Sequence, residues 1–231
     1  CHTCQWRCRI EWDKFGVCGM YQNRDGTLYN LNYTVVSSVA ADPIEKKPLF
    51  HFFPGSLVFS IGGWGCNFHC RDCQNWETSC IEIPEPGRGS REIQPQEAVE
   101  LAKSYHCDGI AWTYNEPTIW FEYTLNSAKL AKENNLYTVY VTNGYMTPEA
   151  LDTIGPYLDA WRVDVKGFSD YLYRKLAKIA HWRGILEVAQ RDKDKWDMHV
   201  EVVTNIIPTM NDDDQQLKDI ANWIKDDLGE L

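Results

Sequence analysis

An apolar segment and a cysteine-rich loop stand side by side in residues 57–73, LVFSIGGWGCNFHCRDC. Residues 57–61 form a short, mostly apolar run that ends at Gly62-Gly63, a pattern that predicts a buried β-strand. The cysteines at 66, 70 and 73 follow with the spacing C-x3-C-x2-C. The sequence therefore predicts three thiols on one loop, directly after a strand.

Strand and helix patterns alternate downstream of this segment. We expect further strands at residues 109–113, 137–142, 160–165 and 199–204, each followed by residues with helical spacing. Such alternation predicts βα units around a parallel sheet. Five units are fewer than the eight of a closed barrel of roughly 250 residues. The predicted fold class is therefore α/β, a partial (βα) barrel over residues 57–231 that is incomplete before a sixth strand.

The last predicted helix has the clearest start signal. Asn211 suits the N-cap position, and the aspartates at 212–214 suit the positive end of the helix dipole. We therefore expect this helix to begin just after Asn211.

The first 56 residues differ in composition, and we expect a cysteine-rich, loop-rich extension there. Turn signals occur at Asp25-Gly26 and at Pro43, Pro48 and Pro54. A second group of cysteines consists of Cys1, Cys4, Cys8 and Cys18. Four thiolates can bind a structural zinc ion or an iron–sulfur cluster, and free thiols or disulfides are the alternative. Because the chain starts at a cysteine rather than a methionine, we expect a fragment or a trimmed product.

Composition limits the classes of function. The net charge of −10 argues against general nucleic-acid binding, which needs a basic surface. No stretch approaches the roughly 18 uninterrupted apolar residues that span a bilayer. Nine cysteines in closely spaced groups favour metal thiolates in a reducing cytoplasm over the disulfides of a small secreted protein.

The trio of cysteines favours a particular kind of metal site. Iron–sulfur clusters are usually bound by four thiolates, so a loop with three leaves one iron with an open coordination position. An open position on a metal is where chemistry can occur. A zinc site with His69 as fourth ligand, and buried core thiols, are the competing interpretations. A non-catalytic zinc or electron-transfer module is thus the alternative from another functional class.

Polar residues follow the predicted strands where ligands bind in parallel sheets, at the carboxyl ends. They occur at residues 114–117, at Asn143, at residues 164–166 and at residues 204–206. We expect them to share one rim of the sheet with the cysteine trio.

The trio and its flanking residues resemble a known family. The segments Asp42–Leu49 (DPIEKKPL), His51-Phe52, Pro54–Ser56 and Cys73–Trp76 (CQNW) are similar to the AmmeMemoRadiSam-system radical S-adenosylmethionine (SAM) proteins. These proteins are relatives of the pyruvate formate-lyase activating enzymes. A glycyl-radical-enzyme activase is therefore the alternative within the class, and the cysteine-rich extension favours the AmmeMemoRadiSam type.

The resemblance implies a [4Fe–4S] cluster on Cys66, Cys70 and Cys73, with the open iron chelated by SAM. One-electron cleavage of SAM would give methionine and a 5′-deoxyadenosyl radical that abstracts hydrogen from a substrate, which could itself be a protein. The electron would come from a flavodoxin or a ferredoxin. SAM contacts are implied at Asn75, Tyr114, Asn115, Glu116, Asn143, Asp164, Lys166 and Thr204.

The sequence departs from the family pattern at Asp72. Relatives carry an aromatic residue just before the third cysteine, close to the adenine. We therefore expect either that the adenine packs against another aromatic residue, Trp76 or Trp64, or that SAM binds more weakly.

Overall fold

The computed structural model describes residues 1–80 and 90–229. Residues 81–89 and 230–231, which belong to the predicted partial barrel, lie outside this description. The strands are β1 (Tyr21–Arg24), β2 (Thr27–Asn30), β3 (Val35–Val36), β4 (Ser38–Pro43), β5 (Leu57–Gly62), β6 (Arg91–Glu92), β7 (Gly109–Trp112), β8 (Tyr137–Thr142), β9 (Ala160–Asp164) and β10 (His199–Val203). The α-helices are α1 (Trp76–Ser79), α2 (Pro95–Ser104), α3 (Phe121–Glu133), α4 (Pro148–Ile154), α5 (Asp170–Leu176), α6 (Arg183–Trp196) and α7 (Asp214–Trp223), and short 3-10 helices occur at Ile44–Lys46, Pro117–Trp120 and Gly155–Tyr157.

A six-stranded sheet forms the centre of the fold, in the order β10-β9-β8-β7-β5-β4. The five strands from β5 to β10 in this sheet are parallel to their neighbours. The α/β class and the predicted parallel sheet are therefore confirmed. Because the five strands run in one direction, their carboxyl ends meet at one rim, and the loops on that rim carry the candidate site.

The sixth strand corrects the expectation that the first 56 residues form a loop-rich extension. β4 pairs antiparallel with β5 over its whole length, from Ser38 opposite Gly62 to Pro43 opposite Leu57. Proline is tolerated here because β4 is an edge strand, where an N–H can be missing without breaking an internal ladder. The central sheet therefore starts upstream of residue 57.

A hairpin in the same region follows its turn signal. β1 and β2 pair antiparallel on either side of Asp25-Gly26. Both turn residues have positive φ, 50° for Asp25 and 84° for Gly26, as the tight turn of a two-residue hairpin requires.

The two faces of the sheet are buried against different parts of the chain. Phe59, Ile110, Tyr140 and Trp161 belong to a large apolar core that includes the helices. Their strand neighbours Val58, Ala111, Val139 and Ala160 point the other way, where Ile44, Leu49 and Phe52 cover them. This alternation is expected of strands buried on both faces.

The last helix starts later than the sequence predicts. α7 begins at Asp214, and Asp213 is the N-cap, since its side chain accepts a hydrogen bond from the Gln216 N–H (3.0 Å). Asn211 instead accepts from the Ile207 N–H and donates to the carbonyls of Lys166 and Asn205, at 2.7, 2.9 and 2.9 Å. The prediction of an Asn211 cap was wrong because this buried amide joins the loops after β9 and β10.

None of the helices described in residues 1–80 and 90–229 has the length and apolar character needed to cross a bilayer.

Candidate active site

The cysteine trio lies on the loop that follows β5, at the carboxyl end of the parallel sheet. Cys66, Cys70 and Cys73 all line one cavity of about 620 Å³. Cavities of this size are typical of small-molecule sites. The three thiols therefore face a space that can admit a ligand.

The same cavity collects the residues that the sequence predicted on the rim. Its lining includes Asn75, Tyr114, Asn115, Glu116, Asn143, Asp164, Lys166 and Thr204. The structure thus brings together the trio and every residue predicted to contact SAM. Direct binding of a ligand by any of these side chains stays a prediction. Their hydrogen bonds indicate which of them position the loops and which are available to a ligand.

Asn115 holds the backbone that leads into the cysteine loop. Its side-chain oxygen accepts from the Gly63 N–H (3.1 Å), and its amide donates to the Gly65 carbonyl (3.1 Å). The end of β5 beside it also needs glycine, because a Cβ on Gly62 would lie 2.6 Å from the Thr113 carbonyl oxygen. Since both polar ends of the Asn115 side chain are engaged, its geometry favours positioning of the loop.

Glu116 joins the ends of β7 and β8. Its carboxylate accepts hydrogen bonds from the Thr118 N–H (2.9 Å), the Thr142 hydroxyl (2.7 Å) and the Asn143 N–H (2.8 Å). Burial raises the pKa of Glu116, and these donors oppose that rise. Three of roughly four acceptor positions of the carboxylate are used, so Glu116 is placed to organise the rim and has little capacity left for a ligand ammonium.

Hydrogen-bond donors surround the Cys66 thiol. The Phe68 N–H points at its sulfur (3.4 Å), and the Asn143 amide nitrogen lies 3.8 Å from it. Burial raises the pKa of Cys66 well above its usual value, and the charge of Glu116 adds to the rise. A metal reverses this balance because its positive charge deprotonates a coordinating thiol. The site therefore fits a metal thiolate better than a free one.

A positive charge, that of Lys166, lies beside the trio on the loop that follows β9. Burial opposes the charge on Lys166, but Asp164, Cys70 and Asp72 outweigh that cost and raise the pKa of Lys166. Burial raises the pKa of Cys70 to about 11, and Lys166 offsets part of the effect. Lys166 is therefore a fixed cation beside the thiols.

Two further residues hold the ends of β9 and β10. Asp164 accepts from the Arg162 guanidinium (2.6 Å), and the Thr204 hydroxyl donates to the Val165 carbonyl (2.7 Å). On the opposite side, the Asn75 amide donates to the Tyr114 carbonyl (2.7 Å). Hydrogen bonds thus hold the loops of the rim in place on two opposite sides of the cavity.

One wall of the cavity was missed as a site. Asp42 is buried, bonds to the ammonium groups of Lys46 and Lys47 at 2.7 Å each, and accepts from the Tyr114 hydroxyl (3.2 Å). Burial would raise the pKa of Asp42, but the two lysines hold it well below its usual range. Lys46 and Lys47 also line the cavity. The segment Asp42–Leu49 served only as a family marker in the sequence, although its charges gave a signal of a functional wall.

The aromatic residues at the cavity differ from the expectation. Among the described residues, Phe68 and Tyr114 line it, and neither Trp64 nor Trp76 does. Trp76 begins α1 and is 61% exposed. The packing of adenine on Trp76 or Trp64 therefore stays a prediction, and α1 directs the Trp76 side chain towards solvent.

A zinc ion at the trio is disfavoured by spacing. Within residues 1–80 and 90–229, no three His, Cys, Asp or Glu side chains are close enough together to bind a single metal ion. A cluster distributes its thiolates over several irons and needs no such close set. His69, the fourth ligand of the zinc interpretation, is exposed.

Comparisons with known proteins agree with this geometry. A family model described as the Radical SAM superfamily matches residues 61–224. An uncharacterised protein of Methanocaldococcus jannaschii is 41% identical over 229 residues, which cover 99% of this chain and 67% of that protein. A second protein of that organism, provisionally named a glycyl-radical enzyme activating enzyme, is 25% identical over 165 residues, 69% of this chain and 61% of that protein.

Among solved structures, a radical SAM methyltransferase from Sphaerobacter thermophilus has a TM-score of 0.58 at 17% identity, covering 77% of this chain. A likeness at this identity shows the fold. The chain spans 55% of the length of that methyltransferase.

Proposed function

Because this chain belongs to the radical SAM superfamily, we propose that it carries the catalytic centre of a radical SAM enzyme, with a [4Fe–4S] cluster on Cys66, Cys70 and Cys73. The observation that supports this most strongly is the shared cavity, which the three thiols line together with the polar strand ends. Three thiolates leave one iron free to bind a ligand from that cavity.

The cluster and SAM, when bound, supply a one-electron cleavage that yields methionine and a 5′-deoxyadenosyl radical able to take hydrogen from a substrate. The residues of this chain position and shield that chemistry. Asn115 and Glu116 fix the loops around the trio. Lys166 places a positive charge where the thiolates add negative charge. Direct SAM contacts are left to side chains with spare polar capacity, foremost Asp164, which uses only one of its carboxylate oxygens to bond Arg162.

We place the chain, as a partial (βα) barrel, with the AmmeMemoRadiSam type. The segment Asp42–Leu49 supports this assignment, because the lysines of that motif form a wall of the cavity. The glycyl-radical-enzyme activases are the second candidate, supported by the relative at 25% identity. An electron donor such as a flavodoxin or a ferredoxin is the partner that the proposed chemistry requires.

A non-catalytic electron-transfer or zinc module is the contrasting hypothesis. Such a module would enclose its metal, whereas the trio opens into a cavity of about 620 Å³. The size of the cavity therefore favours an enzyme.

Anaerobic reconstitution followed by reduction in the presence of SAM tests the proposal. We expect release of 5′-deoxyadenosine by the wild-type chain and none above background by the Cys70→Ala variant. Cys107→Ala is the matched control, because Cys107 is buried in the main core. Equal cleavage by the wild type and Cys70→Ala would overturn the proposal.

A further inference from the structure

Four cysteines outside the active-site cavity line a second, smaller one. Cys1, Cys4, Cys8 and Cys18 share it, with mainly apolar walls from residues such as Trp6 and Ile119. The segment that carries three of these cysteines is tied to the body of the protein, since the Gln5 N–H donates to the Tyr145 carbonyl (3.0 Å). The four thiols are thus gathered in one place by long-range contacts.

Two of these thiols lie close to backbone N–H groups, as Cys66 of the trio does. Each faces the backbone N–H of the residue two positions ahead, Trp6 for Cys4 and Met20 for Cys18. The Phe68 N–H faces Cys66 in the same way. N–H groups directed at sulfur stabilise a thiolate and tune iron–sulfur clusters.

Burial gives these thiols a reason to bind metal. Cys4 is buried at 7% exposure, and Cys1, Cys8 and Cys18 are half-buried. Unpaired thiolates would be costly in such surroundings, whereas metal coordination removes the proton and compensates the charge.

The spacing of the thiols distinguishes a cluster from a single ion. Four sulfurs around one zinc ion lie about 3.8 Å apart, as follows from Zn–S bonds of about 2.3 Å in a tetrahedron. No three ligand side chains in the described ranges, 1–80 and 90–229, are that closely grouped around one ion position. The trio also lacks this close grouping. Within the described residues, neither cysteine group is therefore arranged around a single zinc ion.

Asn67 supplies an independent sign of a ligand. Its side chain is fully buried, and its amide nitrogen faces the Cys4 thiol without a well-formed hydrogen bond to any residue in the described part of the chain. A buried donor left without an acceptor costs about 1–3 kcal/mol. Sulfur atoms of a cluster, or a thiolate bound to it, would provide the acceptor.

Asn67 also connects the two cysteine groups. Its side-chain oxygen accepts from Asn143 (2.8 Å) and lies 3.8 Å from the Cys66 sulfur. Its carbonyl accepts from the Trp6 indole (2.8 Å). One side chain therefore separates Cys4 from Cys66.

We propose that Cys1, Cys4, Cys8 and Cys18 bind a second [4Fe–4S] cluster, adjacent to the trio through Asn67. Four thiolates occupy all four irons, so this cluster has no open position and exchanges electrons only. The partner in that exchange is the cluster of the trio, so this step rests on the proposed function. The second cluster is oxidised by one electron as the cluster of the trio is reduced by one.

The triple variant Cys66→Ala/Cys70→Ala/Cys73→Ala tests the site without relying on the trio. After anaerobic purification and reconstitution of the full chain, we expect about four irons and four sulfides per chain, and about twice that in the wild type. Adding Cys4→Ala and Cys18→Ala should remove the remaining iron, whereas adding Cys107→Ala should not. One zinc ion per chain in place of iron, or no metal, would overturn the proposal.

Electron paramagnetic resonance tests the adjacency. Two reduced clusters this close couple magnetically, so the wild-type spectrum should be broader than the sum of the spectra of the triple variant and of Cys4→Ala/Cys18→Ala. A wild-type spectrum equal to that sum would contradict adjacency. Loss of the trio's signal alone would instead count against the proposed function and leave the second site standing.

Discussion

The two cysteine groups of this chain use the same ligand in contrasting surroundings. The trio Cys66, Cys70 and Cys73 opens into a large cavity with polar and charged walls. The quartet Cys1, Cys4, Cys8 and Cys18 lines a small cavity with mainly apolar walls. Three thiolates beside open space suit a cluster that binds a ligand, and four thiolates in an enclosed space suit a cluster that does not.

The groups also differ in what holds them. The trio depends on the sheet, because Glu116 and Asn115 fasten its loop to the ends of β7 and β8. The quartet depends on loop contacts such as that of Gln5 with Tyr145. The group assigned to catalysis is thus attached to the central sheet by side-chain hydrogen bonds.

The largest expected difference between the groups is in SAM binding. Cys73→Ala should abolish binding of SAM to the reconstituted protein, because the open iron is lost with its cluster. Cys8→Ala should retain it, because the quartet has no open iron. Equilibrium dialysis with labelled SAM measures both, and equal loss in the two variants would remove the distinction between an open and a closed site.

The wall of the trio's cavity should be the more fragile part of the fold. Asp42→Asn leaves the buried ammonium of Lys47 without its carboxylate, and breaking such a buried pair costs about 3–5 kcal/mol. The matched control Asp152→Asn weakens half-exposed pairs with Arg191 and Lys195, and this loss should be smaller, about 1 kcal/mol. Urea unfolding of both variants gives the comparison. Similar losses would mean that the Asp42 pair is not a structural support.

Lys166 should affect only the cluster of the trio. Removing a positive charge disfavours the reduced, more negative cluster, so Lys166→Met should lower its midpoint potential by about 60 mV, the one-electron equivalent of a tenfold change. Lys218→Met, on the exposed surface of α7, should leave the potential unchanged. A redox titration followed by electron paramagnetic resonance decides the point, and an unchanged potential in Lys166→Met would show that its charge does not act on the cluster.

The smallest effect is expected far from both groups. Asp213→Ala removes the N-cap of α7 and should cost about 1 kcal/mol, with SAM binding preserved. Asn211→Ala should cost more and weaken SAM binding, because its amide holds the Lys166 carbonyl. Thermal unfolding and dialysis measure the two properties. The reverse order would contradict the role of Asn211 in joining the loops after β9 and β10.

Local pattern was sufficient to predict the sheet and the rim. The apolar runs that became β5, β7, β8, β9 and β10 are short and bounded by turn residues, so their periodicity identified them. Their parallel direction then placed Asn143 and Lys166 beside the trio by topology alone.

Contacts between distant residues were not predictable in this way. β4 contains a proline and few large apolar residues, and only its pairing with β5 makes it a strand. Glu116 has the residue type of a ligand, but its partner Asn143 is 27 positions away. Asn211 has a capping residue type, and its amide bonds to Lys166, 45 positions away.

The direct test of the contrast is the response of each cluster to SAM. Two reduced proteins are compared by electron paramagnetic resonance, Cys4→Ala/Cys18→Ala with the trio intact and Cys66→Ala/Cys70→Ala/Cys73→Ala with the quartet intact. We expect SAM to change the spectrum of the first and to leave that of the second unchanged. A trio whose spectrum is unaffected by SAM, or a quartet whose spectrum responds to it, would contradict the assignment of an open and a closed cluster.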